Sequence, residues 1–344
     1  MRALDLLAWL ISLPPLLSWC AAIVLSCGYC TTVAIVGLYT IMSGADNLEA
    51  EAAADMMLCC ASCGKAEVDD IKLKDCDDCD LVKYCSDKCQ RDHLTEHEKA
   101  CKERAAELRD EILFRQPESS HRGDCPICFL PLPIELKKSS LYACCSKLVC
   151  SGCVYANKLR GLNKKLHPQC PFCRHPLPKT QKEADKNNMK RVAANDPVAL
   201  REMGKKHDSD GDYGSAFKFY TKAAELGDVE ARYNLSNLYH KGEGVEKDEK
   251  KELYHLEEAA IGGHPYARYN LACEEWNKDR IDRAVKHFII AANLGYDESI
   301  KPLKECYAHG DVSKEDFAAA LRAHQTAVDA TKSPHREAAE AARK

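Results

Sequence analysis

The chain has 344 residues, a formal net charge of −4 and 45% hydrophobic residues. This length predicts two to four domains, and the slightly acidic balance excludes a general binder of polyanions. Cysteine is the unusual component, with 21 copies, of which fifteen fall into two regularly spaced series. That spacing is typical of zinc-bound thiolates in a reducing compartment rather than of disulfides.

The first 45 residues form a hydrophobic segment. Residues 6–45 contain no Asp, Glu, Lys, Arg or His, and residues 19–42 are long enough to cross a bilayer as a helix. The segment therefore predicts a membrane anchor through residues 6–42, with a cleaved leader or a mispredicted start of the reading frame as alternatives. An anchor would place the protein on an intracellular membrane with the zinc modules facing the cytosol. Without it, the protein would be cytoplasmic.

Residues 59–102 carry the first series of eight metal-capable side chains. A C-x2-C pair lets two thiolates reach one tetrahedral zinc from a tight turn, and four ligands close a structural site. Eight ligands therefore predict two zinc ions. The members of the series are Cys60, Cys63, Cys76, Cys79, Cys85, Cys89, His97 and Cys101.

The spacing of this first series resembles the MYND-type zinc finger. The resemblance implies interleaved ligands, with Cys60, Cys63, Cys85 and Cys89 on one zinc and Cys76, Cys79, His97 and Cys101 on the other. It also implies docking of short proline-containing peptides, the alternative being a purely structural zinc knot. Cys59 and His93 are competing ligands that fit the spacing less well. Residues 59–115 hold eleven basic and fifteen acidic side chains, so neither phosphate nor DNA binding is expected.

Residues 121–180 carry the second series, again with eight ligands, which raises the predicted total to four zinc ions. The series has C-x2-C pairs at both ends and a third in its middle. It resembles a RING-type finger. Its members are Cys125, Cys128, Cys144, Cys145, Cys150, Cys153, Cys170 and Cys173.

The RING resemblance implies a cross-brace of two zinc sites. One site would use Cys125, Cys128, Cys150 and Cys153, and the other Cys144, Cys145, Cys170 and Cys173. The sequence departs from the family in the middle, where Lys147 stands at the position of the usual histidine. The second site therefore uses two adjacent cysteines, Cys144 and Cys145, or, as the alternative, lacks one protein ligand or has a water in its place, and it is the less regular of the two.

The same resemblance implies a function without a catalytic nucleophile. A RING-type finger holds a ubiquitin-conjugating enzyme and acts by positioning its thioester. The family's contact residues match Ile127, Pro171 and Arg174 in this chain. The alternative is that Ile127 and Pro171 only shape the turns that hold zinc.

The C-terminal part of the chain is repetitive. Residues 181–195 are polar and predict a linker or a short exposed helix, and in residues 196–331 the motif A-R-Y-N-L at 231–235 recurs at 267–271. A period of this length predicts stacked helix pairs. With Gly242 and Gly244 in its loop, the pattern resembles Sel1-like repeats, relatives of the tetratricopeptide repeat. The resemblance implies an α-helical solenoid that binds a protein ligand. Residues 332–344 are expected to form a polar tail.

The predicted fold class is a mixed multidomain protein: two small zinc-stabilised modules followed by an all-α helical-repeat solenoid, with an N-terminal hydrophobic, transmembrane helix. The predicted function is a zinc-binding, membrane-tethered RING-type ubiquitin ligase whose MYND finger and repeats bind substrate or adaptor proteins. The alternative is a non-catalytic scaffold for protein–protein interaction. Lys147 and the adjacent cysteines favour the scaffold, whereas Ile127, Pro171 and Arg174 favour the ligase.

Overall fold

The structure is a computed structural model that describes residues 59–68, 71–165 and 167–343. The chain divides into two compact units, residues 1–111 and 112–344, and each is described by itself. The hydrophobic segment predicted for residues 1–45 lies outside the described residues. Among the helices of the described ranges, none is long and apolar enough to span a bilayer.

The first unit consists of a short hairpin and a long helix. Strand β1 (Lys74–Asp75) pairs antiparallel with β2 (Lys83–Tyr84), and helix α1 runs over Asp87–Leu113. Ser86 starts the helix, because its hydroxyl accepts a hydrogen bond from the backbone N–H of Cys89. The core is made of cysteines around the buried ring of Tyr84. So small an apolar core cannot support folding alone, and metal binding must contribute.

The second unit begins with the second cysteine-rich module. Strand β3 (Ser139–Tyr142) pairs antiparallel with β4 (Lys147–Cys150), and helix α2 (Ser151–Asn163) follows directly. A single 3-10 turn, Leu136–Lys138, precedes the hairpin. Cysteines again dominate the core of this module, together with Leu132 and Val149.

Nine helices follow in the described part of the second unit before its last segment. Neighbours along the chain pack as antiparallel pairs, and successive pairs pack on one another, as the repeat period predicts. The helices are α3 (Gln181–Ala193), α4 (Pro197–Ser209), α5 (Tyr213–Glu225), α6 (Val229–Lys241), α7 (Glu249–Ile261), α8 (Pro265–Asn277), α9 (Ile281–Asn293), α10 (Ile300–His309) and α11 (Lys314–Ala330).

Aspartates set the starts of the repeat helices. The side chains of Asp196, Asp212, Asp228 and Asp248 each accept a hydrogen bond from a backbone N–H in the following turn. Such a cap contributes about 0.5–2 kcal/mol to helix stability. Small residues then allow close packing within each pair. A Cβ added to Gly204 of α4, for example, would lie 2.5 Å from the ring of a tyrosine on α5.

Two segments outside the repeats are helical. Of the two alternatives for residues 181–195, the structure shows the helix, α3. The polar tail predicted for residues 332–344 is instead a helix over most of its length, α12 (Pro334–Ala341), which packs against α2. Ser333 caps it, and proline fits the first turn of a helix. The segment is too short for its apolar face to be recognised from sequence periodicity.

Candidate metal centres

The first unit brings its eight predicted ligands together as two groups of four. In each group the ligand atoms lie within 4.8 Å of one another. The turn after Cys60, closed by a backbone hydrogen bond from Gly64, brings the first pair of sulfur atoms into the same group. The third ligand, Cys85, directly follows β2, and the fourth, Cys89, lies in the first turn of α1. The groups are Cys60, Cys63, Cys85 and Cys89, and Cys76, Cys79, His97 and Cys101.

The second group of this unit depends on α1. His97 and Cys101 are four residues apart on this helix and therefore face the same side. The Nε2 atom of His97 lies 3.2 Å from the sulfur of Cys79. Three residues beyond Cys101, the guanidinium of Arg104 donates two hydrogen bonds to the carboxylate of Asp80, at 2.7 and 3.0 Å. This ion pair links the segment that follows Cys79 to α1.

The two competing ligands of this unit are outside the metal groups. His93 stacks on His97 with ring centroids 5.7 Å apart, and its Nδ1 lies 3.1 Å from the hydroxyl of Tyr84. His93 therefore orients a ligand and a core residue. Cys60 contributes its sulfur to the first group of four, and the adjacent Cys59 does not.

The second module also forms two groups of four ligands, with the pairing that the cross-brace implies. Residues 125–128 and the junction of β4 with α2 build the first group, while the β3–β4 turn and residues 170–173 build the other. The groups are Cys125, Cys128, Cys150 and Cys153, and Cys144, Cys145, Cys170 and Cys173.

A tight turn lets the two adjacent cysteines share one site. The backbone N–H groups of Cys145 and Ser146 both donate to the carbonyl oxygen of Tyr142, and Ser146 takes a positive φ of 53°. The sulfur of Cys145 then lies 3.8 Å from that of Cys170. The sulfur of Cys144 lies 3.4 Å from that of Cys173. Lys147, exposed at the start of β4, is outside the group.

The sulfur positions fit zinc. Zn–S bonds of about 2.3 Å in a tetrahedral site place two sulfur atoms about 3.8 Å apart. The sulfur–sulfur contacts within the four groups measure 3.4 to 3.8 Å, whereas a disulfide requires about 2.05 Å. Backbone N–H groups favour the thiolate form of two of these cysteines, which is the form that binds zinc. Burial would raise their pKa values, but N–H groups aimed at the sulfur atoms lower the pKa of Cys60 to about 6 and that of Cys125 to about 7.

A groove of about 420 Å³ runs beside the first metal group of the second module. All three residues that the RING resemblance singles out line it: Ile127, which is 37% exposed, Pro171 and Arg174. Arg174 donates a hydrogen bond of 2.8 Å to the side-chain oxygen of Asn157 on α2. The three positions thus converge on one surface.

A fifth cluster of metal-capable groups, absent from the sequence predictions, contains His121, Glu230 and His264. The Nδ1 atom of His264 accepts a hydrogen bond from the backbone N–H of Ala267, so its ring proton lies on Nε2, the atom that faces the cluster. That nitrogen cannot bind a metal. The ammonium of Lys205, 3.0 Å from Glu230, supplies a positive charge instead.

The fifth cluster is therefore an ion-pair network. Burial would raise the pKa of Glu230, but the hydrogen bond with His121, at 3.0 Å, and the charge of Lys205 hold it well below its usual range. The ring of His121 also stacks on that of His264 at 4.3 Å. These contacts fasten the start of the second module to the repeats.

Two family models match the chain. The model described as MYND finger matches residues 60–101, and the model described as Sel1 repeat matches residues 198–228, 229–264 and 265–296. The chain carries a MYND finger and Sel1 repeats. Both predicted resemblances are confirmed, as is the helical-repeat solenoid after a zinc-finger region. The MYND finger implies that the chain binds zinc, while the RING-type resemblance of residues 121–180 stays a prediction.

The repeats are also similar to solved structures. A Sel1 repeat protein from Oxalobacter formigenes is 22% identical over 51% of this chain and 71% of that chain, with a TM-score of 0.39. A protective antigen of uropathogenic Escherichia coli strains that displays an SLR fold is 19% identical, over 49% of this chain and 37% of that chain, with a TM-score of 0.35. No curated protein matches the chain.

The Sel1 repeats bury a segment that lies outside them in the sequence. Leu113 is 1% exposed and belongs to the core formed with α7 and α8. The guanidinium of Arg268, fully buried, donates a hydrogen bond to the carbonyl oxygen of Leu113. The next residue, Phe114, packs on the ring of His287 with centroids 4.7 Å apart. Arg268 occupies the position in its repeat that Arg232 occupies in the preceding repeat. The repeat pattern does not indicate which carbonyl oxygen accepts its hydrogen bond, whereas the structure does.

Burial of His287 predicts a pH-dependent stability. Burial, with the charges of Arg268 and Arg283, lowers the pKa of His287 to about 3. An unfolded histidine titrates near pH 6.5. Below that pH the unfolded chain binds a proton that the folded chain does not. The contribution of His287 to the free energy of unfolding is therefore fully present above about pH 6.5 and is lost as the pH falls toward 3. Between pH 7.5 and 5.5 this contributes a loss of about 1.4 kcal/mol.

Replacement of His287 by glutamine is expected to remove this contribution. Urea unfolding of both proteins at the two pH values measures it. The wild-type chain should lose about 1.4 kcal/mol more than His287→Gln does, because the other titrating groups are common to both. An equal loss in the two proteins would show that His287 is not held neutral by burial.

Proposed function

We propose that this chain is a zinc-dependent scaffold for protein–protein interaction. The observation that carries the proposal is the combination of a MYND finger with Sel1 repeats, because both modules typically mediate contacts between proteins. Four groups of four zinc-type ligands supply the metal sites that this proposal requires. The proposed roles are peptide docking at the MYND finger and binding of a protein ligand by the repeats.

In this proposal a peptide docks on exposed apolar side chains of the MYND finger. Its described residues Val68, Leu81 and Leu94 are 56%, 44% and 53% exposed. A short proline-containing peptide suits this role, since its extended conformation loses little entropy on binding.

An array of proline-containing peptides, each with a copy in which alanine replaces proline, tests this role. The zinc-loaded chain should bind proline-containing members, and Cys60→Ser should abolish the signal, while Cys59→Ser should retain it. Equal binding to the alanine copies, or unchanged binding by Cys60→Ser, would reject peptide docking by the MYND finger.

The second candidate function is that of a ubiquitin ligase. It is favoured by the convergence of Ile127, Pro171 and Arg174 on one groove. In this proposal the groove holds a ubiquitin-conjugating enzyme, and Arg174 positions the thioester-linked ubiquitin. Ser333 and His335, next to and within α12, line the same groove, so a bound enzyme would contact the C-terminal segment.

An autoubiquitination assay with a panel of conjugating enzymes tests the ligase. Ile127→Ala and Arg174→Ala should abolish chain formation. Leu136→Ala is the matched control, because Leu136 is 64% exposed on the same module and does not line the groove. Absence of chains from fully zinc-loaded protein would reject the ligase and leave the scaffold.

The location of the protein is part of the same proposal. Residues 6–42 would tether the scaffold to an intracellular membrane, with its zinc modules in the reducing cytosol, where cysteine thiolates remain available for metal.

A further inference from the structure

The C-terminal helix α12 packs closely against the second zinc module. Gly152, in the first turn of α2, faces it. A Cβ added to Gly152 would lie 2.8 Å from the backbone nitrogen of Arg336 and 2.9 Å from the carbonyl carbon of His335. Only glycine permits this approach. Ala339, one turn further along α12, is 4% exposed.

Arg336 is the buried centre of this contact, with 7% of its surface exposed. One guanidinium nitrogen donates to the carbonyl oxygens of Pro131 and Thr331, at 2.7 and 2.6 Å. The other donates to the carbonyl oxygen of Leu130 at 3.2 Å and to the sulfur of Cys128 at 3.5 Å. Among the described residues, no carboxylate forms an ion pair with Arg336.

A buried guanidinium without a counter-ion is costly, because its desolvation is not repaid. Cys128 belongs to the group of four thiolates that fits a zinc ion. Four thiolates carry four negative charges, and a zinc ion neutralises two of them. The remaining charge of −2 next to Arg336 is the counter-ion that the protein side chains do not provide.

We propose that Arg336 is a positioning residue for the zinc site of Cys125, Cys128, Cys150 and Cys153. It balances the charge of the zinc-bound thiolates and fixes the Cys128 sulfur through a hydrogen bond. Residues around a metal site that act on its ligands in this way commonly contribute 10–100-fold to metal affinity. The second module therefore holds this zinc more tightly while α12, 208 residues away in sequence from Cys128, is docked. The inference rests on zinc binding by the second module.

Zinc release from the full chain tests the proposal. Zinc is transferred to a chelating dye, and alkylation of the freed cysteines, located by peptide mass spectrometry, assigns each loss to its site. Arg336→Met keeps the apolar stem of the side chain and removes its charge and its hydrogen-bond donors. It should accelerate release from this site about 10–100-fold, with Arg336→Lys between it and the wild type. Cys76 and Cys79 of the MYND finger, in the same molecules, are the internal reference.

Two further variants separate this role from general destabilisation. Arg343→Met is the matched control, because Arg343 donates to the carbonyl oxygen of Lys137 on the same module and not to a thiolate. It should release zinc like the wild type. Gly152→Ala should accelerate release by displacing α12, and adding it to Arg336→Met should have little further effect.

Release from Arg336→Met at the wild-type rate would overturn the proposal, as would equal acceleration by Arg343→Met. A wild-type chain whose cysteines at 125, 128, 150 and 153 are alkylated at once, without zinc, would overturn both the inference and the zinc site on which it rests. The ligase and scaffold functions are tested separately by their own assays.

Discussion

Replacement of Cys60 by serine is expected to unfold the MYND finger, whereas replacement of the neighbouring Cys59 should leave it folded. Cys60 is 1% exposed and supplies one of four sulfur atoms to the first group. Structural zinc contributes about 10–16 kcal/mol in comparable small modules, and the cysteine-rich core around Tyr84 cannot replace it. Loss of one ligand should therefore release the zinc and unfold the MYND finger.

Zinc content and amide NMR spectra measure this outcome. Cys60→Ser should lose one or both zinc ions of the MYND finger, and the amide signals of residues 60–101 should collapse to unfolded positions. Cys59→Ser should keep both zinc ions and the chemical-shift dispersion of its amide signals. If Cys59→Ser lost zinc and Cys60→Ser retained it, Cys59 and not Cys60 would be the zinc ligand.

Replacement of Leu113 by alanine is expected to lower the free energy of unfolding of the second unit by about 2–5 kcal/mol. Leu113 is 1% exposed and packs with Leu256, Ala260 and Leu271, and its carbonyl oxygen accepts the hydrogen bond of Arg268. Alanine keeps the carbonyl but leaves a cavity in the repeat core. The residue lies far outside the repeats in sequence, so an effect on repeat stability is specific to this packing.

Ile112 provides the matched control, since it is the adjacent residue in α1 and is 44% exposed. Ile112→Ala should change the unfolding free energy by less than about 0.5 kcal/mol. Urea titrations followed by far-ultraviolet circular dichroism, which reports mainly the repeat helices, measure both variants. Equal effects of the two substitutions would contradict the burial of Leu113 in the core.

The sequence predicted the parts of this protein that obey local rules. C-x2-C spacing predicted the zinc modules, and the grouping of ligands followed from the resemblance to families that interleave them. The repeat period predicted the stacked helices. The caps Asp196 and Asp248 were not predicted, although capping depends on residues within one turn.

Contacts between distant segments could not be predicted in this way. His121 meets Glu230 across 109 positions, and Arg336 meets Cys128 across 208. Their hydrogen bonds depend on how modules pack, which no short spacing encodes. The adjacent Cys144 and Cys145 show the same limit on a smaller scale, since a turn with positive φ at the next residue brings both sulfur atoms to one site.

Native mass spectrometry of the full chain tests the central claim most directly, because it counts bound zinc ions in intact molecules. A zinc-dependent scaffold with two zinc modules predicts four ions. It also predicts that Cys60→Ser, Cys76→Ser, Cys125→Ser and Cys144→Ser each reduce the count, since each removes a ligand from a different group. A count of two that is unchanged by Cys125→Ser and Cys144→Ser would contradict the claim, because the second module would then fold without metal.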